Sequence, residues 1–224
     1  MTAIFVTATG TEIGKTFVTV GLIREFRRRG RSVAALKPVA SGFEEWSAPA
    51  SDPARLLAAL DLPTSAEDIA RIAPFRFRAP LAPDMAAARE GRELDVTALV
   101  EFCSKEIAVR NDVLLIEGIG GVMVPLDERH TVLDWMAALR LPVLLVAGSY
   151  LGTISHSLTA LAALGTRDLT AKALIVSETQ GSTVPLADTV ASIARFAGPV
   201  PVVALPLLAA GADHPAFARI ADLL

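Results

Sequence analysis

The strongest constraint on this chain lies at its start. An apolar run, Ala3–Thr7, leads into Ala8-Thr9-Gly10-Thr11-Glu12-Ile13-Gly14-Lys15-Thr16 and then into a helical pattern, Lys15–Arg29. A strand, a glycine-containing loop closing on Gly-Lys-Thr, and a helix form the setting in which backbone N–H groups wrap a phosphate. The positive end of the helix adds to that attraction. Lys15 then supplies a charge to the outer phosphates, and the Thr16 hydroxyl is a ligand for Mg²⁺. The usual spacing wants glycine where this chain has Thr9, so Gly10 and Gly14 are expected to relax the loop instead. A chance Gly-Lys-Thr in a turn would leave the flanking strand and helix unexplained. The motif points to a nucleotide phosphate and leaves the reaction open.

Downstream, short apolar runs alternate with helical patterns. Strands are predicted at Ser32–Lys37, Asp112–Ile116, Pro142–Ala147, Ala171–Val176 and Val200–Ala204. Helices are predicted at Asp52–Leu60, Val96–Arg110, Thr153 to Leu164, Leu186 to Phe196, and Pro215 to the C-terminus. This alternation predicts an α/β fold of the P-loop NTPase kind, a mostly parallel sheet with helices on both faces. Its 224 residues suit one domain, 1–224. Ligands then lie at the carboxyl ends of the strands. The Pro- and Ala-rich stretch from Phe43 to Leu94 reads as a helical excursion over one edge.

Composition excludes several function classes. Net charge is -3, and the one basic block, Arg27-Arg28-Arg29-Gly30-Arg31, closes a helix, so no nucleic-acid partner is expected. Cys103 is the single cysteine, which rules out an internal disulfide and a Cys-based zinc site. The charge-free stretch Leu141–Gly165 is long enough to span a bilayer, but Pro142, Gly148 and Gly152 break it into strand, loop and helix. The N-terminus lacks a basic region ahead of its apolar run. The expectation is a cytoplasmic protein with no membrane partner.

Polar residues at strand ends carry the chemistry. Lys37 closes the second strand before Pro38-Val39-Ala40-Ser41-Gly42; it is either a snorkelling strand-end lysine or, beside Lys15, half of a cluster for phosphoryl transfer. Glu117 ends the apolar run Leu114-Leu115-Ile116, ahead of Gly118-Ile119-Gly120-Gly121. A carboxylate there holds Mg²⁺ directly or through water. Asp52, in Ser51-Asp52-Pro53, reads more simply as a helix cap than as a metal ligand. The loop Gly148–His156 offers either an ordinary Thr or Ser cap or free N–H groups for an anion. His156 packs or caps, and His130 and His214 read as loop residues.

These motifs, in this order, resemble dethiobiotin synthetase. The resemblance rests on Thr-Glu-x-Gly-Lys-Thr at Thr11–Thr16, Lys-Pro-Val-Ala-Ser-Gly at Lys37–Gly42, Ser51-Asp52, and Glu-Gly-x-Gly-Gly at Glu117–Gly121. Leu-Pro-Val-x-Leu-Val at Leu141–Val146 and Leu-Gly-Thr-Ile-x-His at Leu151–His156 extend it. It covers Thr2 to Ser177. It implies closure of a cyclic urea on 7,8-diaminononanoate with CO₂ and MgATP, through a carbamate that ATP phosphorylates. By resemblance, Lys15 and Lys37 serve phosphate and carbamate, while Thr11, Glu12 and Ser41 position the reacting groups. Mg²⁺ falls to Thr16, Asp52 and Glu117. The nucleotide falls to Glu12, Ile13, Gly14, Lys15, Thr16 and Phe17, with Ser177, Glu178 and Pro206 by the base. The substrate falls to Ser41 and Gly118 and, across a homodimer interface, to the partner's amides at Gly152, Thr153, Ile154 and Ser155.

Three departures from the family pattern carry expectations. Ala8 and Gly10 replace a Gly-Thr-Asp opening, which changes loop conformation rather than chemistry. Ser177-Glu178 stands where many members have Asn-Asp, and Ala204 replaces a Gly-Glu context near Pro206; both predict looser nucleotide selectivity. A Lys37→Gln change is expected to abolish turnover and spare folding. The rival readings fit less well. A cobyrinate-type amidotransferase needs a cysteine nucleophile and a further domain. A partitioning ATPase carries a lysine where this chain has Gly10.

Overall fold

The computed structural model describes residues 2–109, 112–209 and 212–224, without the side chains of Trp46 and Ser47. Six of the apolar runs become β1 (Thr2–Ala8), β2 (Val33–Leu36), β5 (Val113–Glu117), β6 (Val143–Gly148), β7 (Ala171–Ser177) and β8 (Val202–Leu205). They form one sheet in the order β2-β5-β1-β6-β7-β8, every pair parallel. Every residue of β5 and β6 is buried, as expected of strands covered on both faces. Register places Glu117 beside Val6 and Val146 beside Ala8, so three strands end together where β1 enters its loop.

Helices cover the sheet. They are α1 (Lys15–Arg28), α2 (Asp52–Ala59), α3 (Ala66–Ile72), α4 (Pro83–Arg89), α5 (Val96–Ala108), α6 (Val132–Leu139), α7 (Thr153–Gly165), α8 (Leu186–Ala194) and α9 (Pro215–Asp222). In α1, Val18, Leu22, Ile23 and Phe26 recur at helical spacing and are buried. At its end the buried Glu25 carboxylate takes hydrogen bonds from Arg28 and Arg29, and Arg29 also reaches Asp222 of α9. α1 and α9 approach closely at Gly21, where a Cβ would sit 2.0 Å from the Phe217 ring.

The main departures from expectation have local causes. The second strand is shorter than Ser32–Lys37 because the Lys37 N–H turns away to the Ile72 carbonyl. β8 begins at Val202 rather than Val200, since Pro201 has no N–H to give a sheet. α5 ends at Ala108, with Val109 extended, and Arg110 lies outside the described residues. α8 stops at Ala194 rather than Phe196. The excursion from Phe43 to Leu94 is helical in α2, α3 and α4 but also contains a strand. That strand, β4 (Phe75–Phe77), pairs in parallel with β3 (Val39–Ser41) as a second small sheet. The helix α6 had no signal in the sequence, because its run Val-Leu-Asp-Trp-Met-Ala-Ala-Leu is apolar nearly all round. Its Trp135 packs edge-on against Phe5 of β1 at 4.7 Å. Among the described residues no helix is long and apolar enough to cross a membrane, and Leu141–Gly165 is divided between β6, a loop and α7.

Candidate active site

The loop between β1 and α1 lies at the carboxyl edge of the sheet, beside the exits of β5 and β6. Gly14 precedes α1 with φ 98°, and a Cβ there would come within 2.8 Å of the Ser177 hydroxyl. Gly10, by contrast, has open space around its absent Cβ and no left-handed backbone. The conformational load expected of Gly10 falls instead on Glu12, a non-glycine residue at φ 58°. A residue other than glycine pays for such a conformation in steric strain, so its persistence marks a loop held from outside.

That hold comes from the loop after β5. A Cβ on Gly121 would meet the Thr9 carbonyl carbon and oxygen at 3.1 Å and the Gly10 nitrogen at 3.2 Å. The second glycine pair therefore lets backbone approach backbone. The Lys15 ammonium joins the same two loops, donating to the carbonyls of Gly10 at 2.9 Å and Gly120 at 2.7 Å. Burial, and then the neighbouring charge of Lys37, pull Lys15 down to about 8, against the opposite pull of Glu117 and Asp52.

Lys37 and Glu117 meet inside the protein. The Lys37 ammonium donates to Glu117 Oε1 at 2.8 Å and to the Gly118 carbonyl at 2.7 Å, while Thr16 Oγ1 donates to the same Oε1 at 2.8 Å. Glu117 is wholly buried and Lys37 nearly so. The snorkelling reading of Lys37 thus fails. Lys37→Gln, expected from the sequence to spare folding, would strip a buried carboxylate of its counter-charge, which argues for a cost in stability.

Asp52 is the first residue of α2, and the cap is Ser51, whose hydroxyl accepts from the Ala54 N–H at 3.4 Å. The cap reading of Asp52 is thereby corrected, and its carboxylate stands 3.8 Å from the Lys37 ammonium. Glu117 Oε2 is buried with no hydrogen-bond partner among the described residues. An orphaned carboxylate oxygen next to a threonine hydroxyl and a second carboxylate is a hard-oxygen donor set of the kind Mg²⁺ takes alongside phosphates and water. No group of three or more His, Cys, Asp or Glu side chains suited to a metal occurs among the described residues. These residues fit a metal that arrives with its nucleotide.

A cavity of about 720 Å³ opens over this floor. Thr11, Glu12, Thr16, Phe17, Lys37 and Ser41 line it, together with Asp52 and Arg55 of α2. The opposite wall, Pro80-Leu81-Ala82-Pro83, had escaped attention in the sequence, although two prolines three apart signal a rigid segment. Phe43, Ile119 and Val124 add further apolar surface.

Ser177, Glu178 and Pro206 do not line that cavity. Glu178, after β7, accepts from the Leu207 N–H at 2.8 Å, so Ser177, Glu178 and Pro206 gather where β7 and β8 end. Phe17 packs against Phe217, ring centroids 5.9 Å apart. At α7 the helix is preceded by Gly152 with φ 98° and no side-chain cap, while Thr153 Oγ1 donates to the Gly148 carbonyl. The Thr or Ser cap is therefore absent. None of Gly152, Thr153, Ile154 and Ser155 lines the cavity of its own chain. His156 bonds the Tyr150 hydroxyl at 2.9 Å, His130 pairs with Asp127, and His214 caps α9 through Nδ1 rather than lying free in a loop.

With this geometry established, comparison with known proteins is specific. A family model described as an AAA domain matches residues 2–210. An ATP-dependent dethiobiotin synthetase of Methylobacterium nodulans is 53% identical over 203 residues, covering 88% of this chain and 90% of the relative. Its counterpart in Acidiphilium cryptum is 47% identical over 202 residues, 90% and 91% of the two chains. Among solved structures, the cell division ATPase MinD of Pyrococcus furiosus superposes with TM-score 0.57 at 16% identity, covering 100% of this chain and 98% of that one. The MinC:MinD complex of Aquifex aeolicus gives 0.52 at 12%, covering 99% and 86%. At such identities the likeness is one of fold.

Proposed function

The chain belongs to the family of ATP-dependent dethiobiotin synthetases, ligases of biotin synthesis, and we propose that its cavity is where 7,8-diaminononanoate, CO₂ and the terminal phosphate of ATP react. The observation that carries this reading is the single Glu117 oxygen shared by Thr16 and Lys37. It welds the phosphate loop to a second lysine, as a reaction on two anions at once requires.

In this reading one amine adds CO₂ to form a carbamate and releases a proton. A carbamate oxygen attacks the terminal phosphorus of ATP, and ADP leaves. The second amine then attacks the carbamoyl carbon, closing the cyclic urea as phosphate departs. Each lysine ammonium has three N–H donors, and two on each are already bonded to protein. The third on Lys15 faces the nucleotide phosphates, and the third on Lys37 faces the carbamate and the transferring group. Both then act as fixed positive charges that need no reorganisation as negative charge develops. Thr11, Glu12 and Ser41 orient the diamine from the cavity wall. Thr16, Asp52 and Glu117 would hold Mg²⁺, which would neutralise phosphate charge.

Residues 1–224 act as one synthetase domain, and we place it in the cytoplasm, where ATP is supplied. We further propose a homodimer. Leu151 is 90% exposed and Ile154 37%, apolar groups flanking the start of α7. Facing a second copy, that helix end offers its N–H groups at 152–155 to the substrate carboxylate. The carboxylate of Glu178 at the nucleotide-base side supports use of GTP at a rate near that of ATP. The test is incubation with diamine, bicarbonate and MgATP, with mass detection of the cyclic urea. ATP hydrolysis without that product overturns the proposal, and a strong preference for ATP over GTP overturns the selectivity reading.

A further inference from the structure

Three cationic side chains line the cavity, and two of them are already committed. The Lys15 ammonium is tied to two carbonyls, and that of Lys37 to Glu117 and Gly118. The third is Arg55 of α2, which is exposed on the cavity wall and makes no hydrogen bond or ion pair among the described residues. It lies one helical turn beyond Asp52, on the same face of α2, so the two side chains are neighbours. The acids of the site, Glu12, Asp52 and Glu117, match the three cations in number. Lys15 and Lys37 have one N–H each left for a triphosphate and a carboxylated diamine, whereas the whole guanidinium of Arg55 is unspent on protein groups among the described residues.

We propose that Arg55 is an oxyanion-binding residue of this site, taking an oxygen of the terminal phosphate or the substrate carboxylate through its guanidinium. A planar fork of five donors suits either group in a bidentate pair. The inference rests on the reading of the cavity given above. It adds a contact that none of the sequence motifs supplied, since Arg55 follows Ser51-Asp52 within a run that otherwise reads as helix. Arg55 binds an anion and performs no proton transfer, so its removal weakens binding more than chemistry.

The experiment is steady-state kinetics on Arg55→Ala and Arg55→Lys with each substrate varied in turn, alongside the methyl ester of the diamino acid. For Arg55→Ala the expected result is a rise of about tenfold in one KM, a kcat within about twofold, and an unchanged thermal midpoint, with partial recovery in Arg55→Lys. A rise in the KM for ATP assigns the phosphate. A rise in the KM for the diamino acid, absent when the ester is the substrate, assigns the carboxylate. Both values within about twofold of the parent protein overturn the proposal. Cyclic urea formation by the parent protein is the control, because its failure would remove the underlying reading and leave ATP binding to Arg55→Ala, measured by calorimetry, as the remaining test.

Discussion

The buried pair of Lys37 and Glu117 makes a quantitative prediction about stability. At 2.8 Å and an effective dielectric near 20, two unit charges attract by roughly 6 kcal/mol, and desolvating both returns most of that. Intact, the pair is close to neutral; broken, it leaves a buried charge with weaker company, Asp52 at 3.8 Å for Lys37 or the longer-range pull of Lys15 for Glu117. Lys37→Met keeps the stem and deletes the charge, so it should cost about 3–5 kcal/mol. Glu117→Gln keeps an acceptor for Thr16 and Lys37 and should cost about 3 kcal/mol. The double variant leaves only a buried amide and should cost about 2–3 kcal/mol, far below the sum of the singles. Urea denaturation at constant m-value measures all four corners of the cycle, and none of the variants should form product. Costs that add to within about 0.5 kcal/mol would refute the reasoning, for they would mean that neither charge feels the other.

Three further outcomes follow from local geometry. Gly21→Ala should destabilise by about 1–3 kcal/mol in thermal unfolding, since its Cβ would force the Phe217 ring 2.0 Å away to move within a packed helix pair. Gly121→Ala presses on backbone rather than on a movable side chain, so it should raise the KM for ATP several-fold as well as lowering stability. Burial pushes the Glu25 carboxyl up, but hydrogen bonds from Arg29 and Arg28 outweigh it and hold the group below its ordinary 4.5. A depressed acid stabilises the fold above its unfolded value and loses that contribution as pH falls through its folded one. Glu25→Gln should therefore cost about 1 kcal/mol at pH 7, with Arg28 largely solvated, and the difference from the parent should begin to shrink as pH falls below the ordinary 4.5 and disappear only beneath the lowered folded value.

Much of the site was legible because its polar residues interrupt patterns that would otherwise be apolar. Lys37 and Glu117 each stand at the end of a strand, and Lys15 opens α1 after the loop from β1, places where a charge has no bland explanation once its neighbours are also charged. Gly10 misled for the opposite reason. Glycine signals freedom of backbone, yet Gly10 has no positive φ while Glu12 does, in a loop packed at Thr9 and Gly10 against one about a hundred residues away. Ser51 and Asp52 are both good caps, and only the three-dimensional reach of Lys37 separates their roles. The small sheet of β3 and β4 was invisible, because three-residue strands have no period to read. The same is true of α6, whose run, apolar but for Asp134, erases the helical spacing that marks α1.

The sheet order has a consequence in time. β1 is made first but is flanked by β5 and β6, so its partners begin at residues 113 and 143. As the chain emerges from the ribosome, the strand that leads into the phosphate loop has no neighbour until about a hundred further residues have been synthesised. During that interval an apolar strand with two open edges is exposed, the state in which nascent chains associate with one another or with chaperones. Pairing over such separations also closes slowly. ATP cannot act as a folding template early, because Gly120 and Gly121, which hold the loop from the far side, arrive only with β5. The order of synthesis thus keeps the nucleotide site incompetent until β5 and the loop after it have been made, although its signature precedes them by about a hundred residues.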